Sequence, residues 1–276
     1  MRAGLIVPAH IRPVPKGGTD MSIDGKVVIV TGGTQGIGEG CSRYFAEQGA
    51  KVVIASNQPD RGKALEKELR GKGLEARFVE VDVSREDSVV ALVNRAVQLH
   101  GRIDALDSNA GVWRQGKVTD FTLDDWDAVM GVNVMGNLWL AKHVVPVMER
   151  QGKGVIVITT SVAAFVGFPA HALYCASKAA LEALIRCLAT DHAGAVRVVG
   201  VCPGTIDTPM LAASAAGWTK PLAELYAEVA QKIPVRRLGQ PIDIAKAVAF
   251  LISDDAEYID AVSLVMDGGT LALPPW

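Results

Sequence analysis

The chain has 276 residues and a formal charge of −2, from 28 basic and 30 acidic side chains with no block of either sign. This balance excludes the electrostatic footprint of a nucleic-acid or membrane-surface partner. Hydrophobic residues make up 49% and aromatics 5%, a composition suited to helices packed closely on a sheet, and the length fits one α/β domain. Cys41, Cys175, Cys187 and Cys202 form no Cys-x-x-Cys pair and no zinc-spaced cluster. The reading is a reduced, cytoplasmic protein with neither disulfide nor metal, and no segment has the length of a membrane span.

Residues 1–20 contain a short apolar run broken by prolines, too short for a signal peptide, and Met21 opens Met-Ser-Ile-Asp-Gly-Lys as an alternative start. A flexible extension is expected over 1–22. From Lys26 onward, β-rich runs alternate with helical ones. A buried strand is predicted over 27–30, followed by a helix on which Ile37, Cys41 and Phe45 share a face. Next come a strand over 51–55, a helix over 61–70, a strand over 76–81, a helix over 86–100 and a strand over 103–107. One long helical region is predicted over 123–150. A strand over 155–160, a helix over 174–191 and a strand over 196–202 follow. The stretch 205–234 reads as an irregular binding loop, before a helix over 242–253 and a last strand over 262–266. Repeated βαβαβ units without a linker argue for one doubly wound, mainly parallel sheet with helices on both faces.

Thr31-Gly32-Gly33-Thr34-Gln35-Gly36-Ile37-Gly38 joins the first strand to the first helix. Gly32 permits a tight turn, Gly36 lets backbone approach a pyrophosphate, and Gly38 lets helix and strand pack closely. The helix N-terminus offers unpaired N–H groups and the positive end of its dipole. This placement favours dinucleotide binding over a plain strand–helix turn. Asp82, in Val81-Asp82-Val83, either accepts a hydrogen bond from an adenine amino group or caps a turn with Ser84. Asn109-Ala110-Gly111 either lines the cofactor cleft or makes a turn.

Tyr174 and Lys178 stand four residues apart, one helical turn, so phenol and ammonium share a face, and Ser161 lies 13 residues upstream of Tyr174. A unit charge about 5 Å from the phenol, at an effective dielectric near 20, is worth about 3 kcal/mol, or roughly two pKa units. Lys178 is therefore expected to make Tyr174 a usable acid/base near neutral pH, with an oxidised nicotinamide adding a second positive charge.

In order and spacing, Thr-Gly-x-x-x-Gly-x-Gly, Asn109-Ala110-Gly111, Asn133 in Val-Asn-Val-Met-Gly, Ser161, Tyr174-x-x-x-Lys178, Pro203-Gly204-x-x-x-Thr208 and Asp267-Gly268-Gly269 resemble the short-chain dehydrogenase/reductase family in its compact single-domain branch. The resemblance spans about residues 25–269 and implies a Rossmann-type sheet of about seven strands in a dinucleotide-binding catalytic domain, 23–276. It implies that Tyr174 exchanges the proton with the substrate oxygen and that Ser161 hydrogen-bonds that oxygen. Lys178 would bind the nicotinamide ribose and depress the Tyr pKa, and Asn133 would hold a water linking Lys178 to solvent. The cofactor would be held at Gly32, Thr34, Gln35, Gly36, Ile37 and Gly38, then at Ser56 and Asn57, Asp82 and Val83. Asn109, Ala110 and Gly111, with Tyr174 and Lys178, would also bind it. Pro203 and Gly204 would join them, and the Ile206 backbone and Thr208 hydroxyl would hold the carboxamide.

Three positions depart from the family pattern: Ser108 replaces the first of two Asn, Val199 follows Arg197 where Asn is usual, and Ala261-Val262 opens the last strand. Ser56-Asn57 carries neither the acidic residue that selects NAD nor the Arg or Lys that selects NADP, and the absence of a fixed cation leans the reading to NAD. The substrate pocket is expected from Trp113, Ser161, Ala163, Phe168, His171, Tyr174, Leu211 and Trp218, with His171 either a polar contact or a surface residue at a helix start. Its apolar character points to a hydrophobic secondary alcohol or ketone, and family habit to a homotetramer. Two alternatives are an NADPH-dependent 3-oxoacyl carrier-protein reductase and a catalytically silent dinucleotide sensor.

Overall fold

The computed structural model describes residues 22–214 and 220–273. The expected extension over 1–22, apart from Ser22, and the pocket residue Trp218 lie outside these residues. Seven strands form one sheet in the order β3-β2-β1-β4-β5-β6-β7. They are β1 (Val27–Thr31), β2 (Lys51–Ser56), β3 (Ala76–Glu80), β4 (Ala105–Ser108), β5 (Gly154–Thr159), β6 (Val196–Pro203) and β7 (Ser263–Met266). Every pairing is parallel. The order reverses direction at β1, and Thr31 pairs with Ala55 on one side and Ser108 on the other. A crevice therefore opens at the carboxyl ends of β1 and β4, the topological switch point where open α/β sheets bind ligands.

Alternate side chains of each strand enter two cores. Val28, Val30, Val52 and Ile54 face α1 (Gly36–Glu47) and α9 (Pro241–Ile252) through Cys41, Phe45, Ile244 and Val248. Ile29, Val53, Leu106 and Ile156 face α3 (Glu86–His100), α5 (Gly136–Gln151) and α6 (Ala172–Asp191) through Leu92, Leu140 and Leu181. Both faces are covered, which is why the strands read as continuous apolar runs. Each fully buried aliphatic side chain contributes about 1.5–3 kcal/mol.

One expectation is refined and one corrected. The helical region expected over 123–150 is present and continuous, as α4 (Leu123–Met130) and α5 with a π-helical turn between them over Gly131–Met135. The widened turn is bounded by Gly131 and Gly136, poor helix formers, and carries the fully buried Asn133 on bonds to another segment. The stretch 205–234 is not a structureless loop: it contains α7 (Pro209–Ser214) and α8 (Leu222–Lys232). Pro209 and Pro221, next to the starts of these two helices, read as loop residues in sequence, yet proline suits a first helical turn. The remaining helix, α2 (Pro59–Gly71), covers β3 with Gly62 packed on Phe78.

Candidate active site

The glycine-rich loop closes on the Asn-Ala-Gly segment. Gly32 has φ +64, and a Cβ there would lie 3.0 Å from the Ala110 Cα. A Cβ on Gly38 would lie 2.3 Å from the Gly32 carbonyl oxygen, so helix α1 approaches β1 as closely as only glycine permits. Thr31 ties the two segments: its hydroxyl accepts from Asn109 N and Ala110 N, both at 3.1 Å, while Asn109 Nδ2 donates to Thr31 O. A cleft of about 200 Å³ opens above this junction, lined by Gly32, Thr34, Gln35, Ser56, Asn57, Gln58, Asp82, Val83, Ala110 and Gly111. Gln58 Oε1 is buried there with no hydrogen-bond partner among the described residues. A pyrophosphate at the α1 N-terminus and an adenosine along this lining fit the residues present. A larger cavity, about 280 Å³, lies between the end of β7 and the segments around Ile206, Ile233 and Ile244, and holds none of the catalytic candidates.

At the far end of the cleft, Ser56 Oγ lies 2.8 Å from Thr34 Oγ1 and accepts from Gln58 N. Arg61, on α2, donates through Nη1 to Gln35 Oε1 at 3.2 Å, bringing a guanidinium to the rim. Asp82 makes the turn with Ser84, accepting from its N–H at 3.0 Å and its hydroxyl at 2.6 Å through Oδ1. The same carboxylate lines the cleft, so the capping and cleft-lining positions coincide. Thr208 sits against the glycine loop, its Cγ2 3.4 Å from where a Gly36 Cβ would stand. Its hydroxyl donates to Ile206 O and accepts from Leu211 N at the start of α7. Pro203 ends β6, and Gly204 follows it so closely that a Cβ would lie 2.7 Å from Asp267.

The four catalytic candidates meet where β5, the π turn and α6 converge. Lys178 is buried and donates through Nζ to Thr159 O at 2.7 Å. Its Nζ lies 5.7 Å from the Tyr174 ring centroid and 3.6 Å from where a Gly111 Cβ would stand. Asn133 accepts from Val112 N at 2.8 Å and donates to Val112 O and to Ser177 Oγ, both at 2.9 Å. Ser161 caps a short 3-10 turn, accepting from Ala163 N at 3.1 Å, and its side chain lies close enough to Tyr174 to lower the phenol's pKa. Burial pushes the Tyr174 phenol up to about 12, with Ser161 opposing it. Burial also lowers Lys178 to about 8. Desolvation is the largest influence on the phenol, and the expected depression by Lys178 is not among the shifts its surroundings produce.

The described pocket candidates differ in exposure. Ala163 is buried, Phe168 is exposed, and Leu211 lies on α7. The Trp113 and His171 rings stack with centroids 5.3 Å apart and planes 10° apart. Sequence reasoning missed Ser177, which links Asn133 to the Tyr174 carbonyl, and Asn137, whose Nδ2 donates to Asn133 O at 2.7 Å. Both sit one helical turn from a named candidate, and that spacing was the available signal.

A family model described as enoyl-(acyl carrier protein) reductase matches residues 32–270. An uncharacterized oxidoreductase from Thermotoga maritima is 37% identical over 254 residues, covering 92% of this chain and 100% of that protein. The chain belongs to the short-chain dehydrogenase/reductase family. Among solved structures of this short-chain dehydrogenase/reductase fold, a 7α-hydroxysteroid dehydrogenase complexed with NADH and 7-oxo glycochenodeoxycholic acid has a TM-score of 0.84 and 34% identity, over 90% of this chain and 95% of that one. An actinorhodin polyketide ketoreductase variant with NADPH also has a TM-score of 0.84, at 29% identity, over 89% of this chain and 97% of that one. An oxidoreductase with a nicotinamide dinucleotide cofactor is therefore supported for this short-chain dehydrogenase/reductase. No helix among the described residues is long and apolar enough to cross a membrane.

Proposed function

We propose that this short-chain dehydrogenase/reductase interconverts a secondary alcohol and its ketone, with Tyr174 as the acid/base. The observation that carries the reading is the convergence of Tyr174, Ser161, Lys178 and Asn133 at the end of the glycine-lined cleft. When bound, the reduced nicotinamide supplies a hydride to the carbonyl carbon. Tyr174 gives its phenolic proton to the carbonyl oxygen, and Ser161 holds that oxygen by a hydrogen bond. The reverse reaction returns both hydride and proton. Lys178 holds the ribose hydroxyls and, through them, the ring orientation. Asn133, whose carbonyl accepts from the Asn137 side chain, would hold the water that refills the proton path.

Without a fixed cation at Ser56-Asn57, the sequence leaned to NAD. The Arg61 guanidinium held at Gln35 favours NADP(H), because it places a positive charge beside the adenosine end while the neighbouring lining residues Gln35, Ser56, Asn57 and Gln58 carry no carboxylate. Trp113, Phe168, Ala163 and Leu211 make the pocket apolar, which suits a hydrophobic substrate. Trp126, Met135 and Leu138 around the π turn, with Leu264 and Val265 on β7, are exposed and would be covered in a homotetramer. A monomer mass by light scattering would overturn that assembly. Four free cysteines accord with a cytoplasmic setting.

The test is a fluorescence titration with NADPH and NADH, followed by turnover of a ketone panel. NADPH should bind at least about tenfold tighter, and Arg61→Ala should erase that margin. Tyr174→Phe should keep cofactor affinity and lose turnover. Binding of neither dinucleotide would overturn the catalytic reading, and reduction only of 3-oxoacyl thioesters would shift the substrate to a carrier-protein intermediate.

A further inference from the structure

Resting on the alcohol/ketone reading above, we propose that His171 is a specificity residue that accepts a hydrogen bond from a second hydroxyl on the substrate, so that the preferred substrates are hydroxy ketones and diols. The ring has a defined orientation. Its Nδ1 lies 2.6 Å from Pro169 O. A carbonyl has no proton to give, so Nδ1 carries the hydrogen, and Nε2 of the neutral ring is an acceptor. No hydrogen-bond partner for Nε2 is found among the described residues, and the side chain is partly open to solvent.

Four further contacts hold that ring in place. It stacks on Trp113 and meets Phe168 edge-on with centroids 6.3 Å apart. His171 N donates to Phe168 O, and Gly116 N donates to Ala170 O, which locks the 113–116 segment onto the turn before α6. Ala170 adopts φ +59, a left-handed conformation costly for a residue with a Cβ, and it is this turn that sets His171 at the helix start.

The position relates His171 to the chemistry. His171 is the residue before α6, and its carbonyl accepts the first helical bond from Cys175 N at 2.9 Å. Tyr174 is three residues on, one turn away, where side chains are neighbours. An acceptor one turn from the reacting phenol suits an O–H one or two carbons from the reacting carbon. Beside the apolar rings of Trp113 and Phe168, a directional acceptor gives a hydroxylated ketone one bond that a plain ketone cannot make.

The test compares matched ketones at saturating NADPH: 3-hydroxy-2-butanone and 4-hydroxy-2-butanone against 2-butanone, and 2-hydroxycyclohexanone against cyclohexanone. For the native protein, kcat/KM should favour a hydroxylated partner by about tenfold or more. His171→Phe keeps an aromatic ring for the stack and lacks the acceptor; it should bring that ratio near one, through a raised KM for the hydroxylated partner. His171→Gln, which retains an acceptor oxygen, should restore part of the preference. Equal turnover of each pair by the native protein, or an unchanged ratio in His171→Phe, overturns this proposal and leaves the alcohol/ketone reading standing. Failure to turn over any ketone with either dinucleotide overturns both.

Discussion

Asp107 should make this protein less stable as pH rises toward neutrality. It sits mid-sheet on β4, paired with Val30 of β1 and Val157 of β5, and is fully buried. Neither carboxylate oxygen has a hydrogen-bond partner among the described residues, and the neighbouring Cys41 thiol offers only weak help. Burial pushes the carboxyl from 3.8 up to about 7. Between those values the folded protein binds more protons than the unfolded chain, so stability falls as pH rises, and the dependence is flat below the lower value and above the upper one. At 1.36 kcal/mol per unit, the separation is worth about 4 kcal/mol, of which about 2–3 kcal/mol is lost between pH 5 and pH 8. Asp107→Asn keeps size and polarity but cannot ionise. Urea unfolding followed by circular dichroism at pH 5 and pH 8 should show the native protein losing about 2–3 kcal/mol more than the variant. Asp107→Val, which also removes the unpaired oxygens, should be the most stable of the three at pH 8. Parallel losses in native protein and Asp107→Asn, within about 0.5 kcal/mol, would refute the reasoning.

Two further outcomes follow from the site. With the phenol pushed up to about 12, alcohol oxidation, which needs the phenolate, should accelerate about tenfold per pH unit from pH 6 to pH 8, while ketone reduction stays level. Above about 8 Lys178 loses its proton, and reduction should decline; a flat oxidation profile from stopped-flow or steady-state rates contradicts the assignment of Tyr174. Gly38→Ala should weaken dinucleotide binding by at least about tenfold and cost about 1–3 kcal/mol in a melt, because the added Cβ meets backbone rather than a yielding side chain; native affinity in that variant would show that the loop closes differently.

Much of this molecule was legible in one dimension. The glycine run, the Tyr-x-x-x-Lys turn and the alternation of apolar runs with helical spacing are local signals, and local geometry alone carries them: a 3.6-residue period, a strand's reach, a turn that only glycine makes. They were enough for the parallel sheet, the family and the positions of Tyr174, Lys178 and Ser161. Other features depend on contacts between segments far apart in the chain. The π turn at Gly131–Met135 comes with Asn133 bonded to Val112, 21 residues away, and Arg61 reaches the rim of the cleft through Gln35, 26 residues away. His171 is oriented by Trp113, and Asp107 became a buried charge problem only when α1 and both neighbouring strands closed over it. Tyr174 shows the division most clearly. Spacing set Lys178 beside it, but only the packed interior decided how far the phenol is desolvated, and that burial pushes its pKa up.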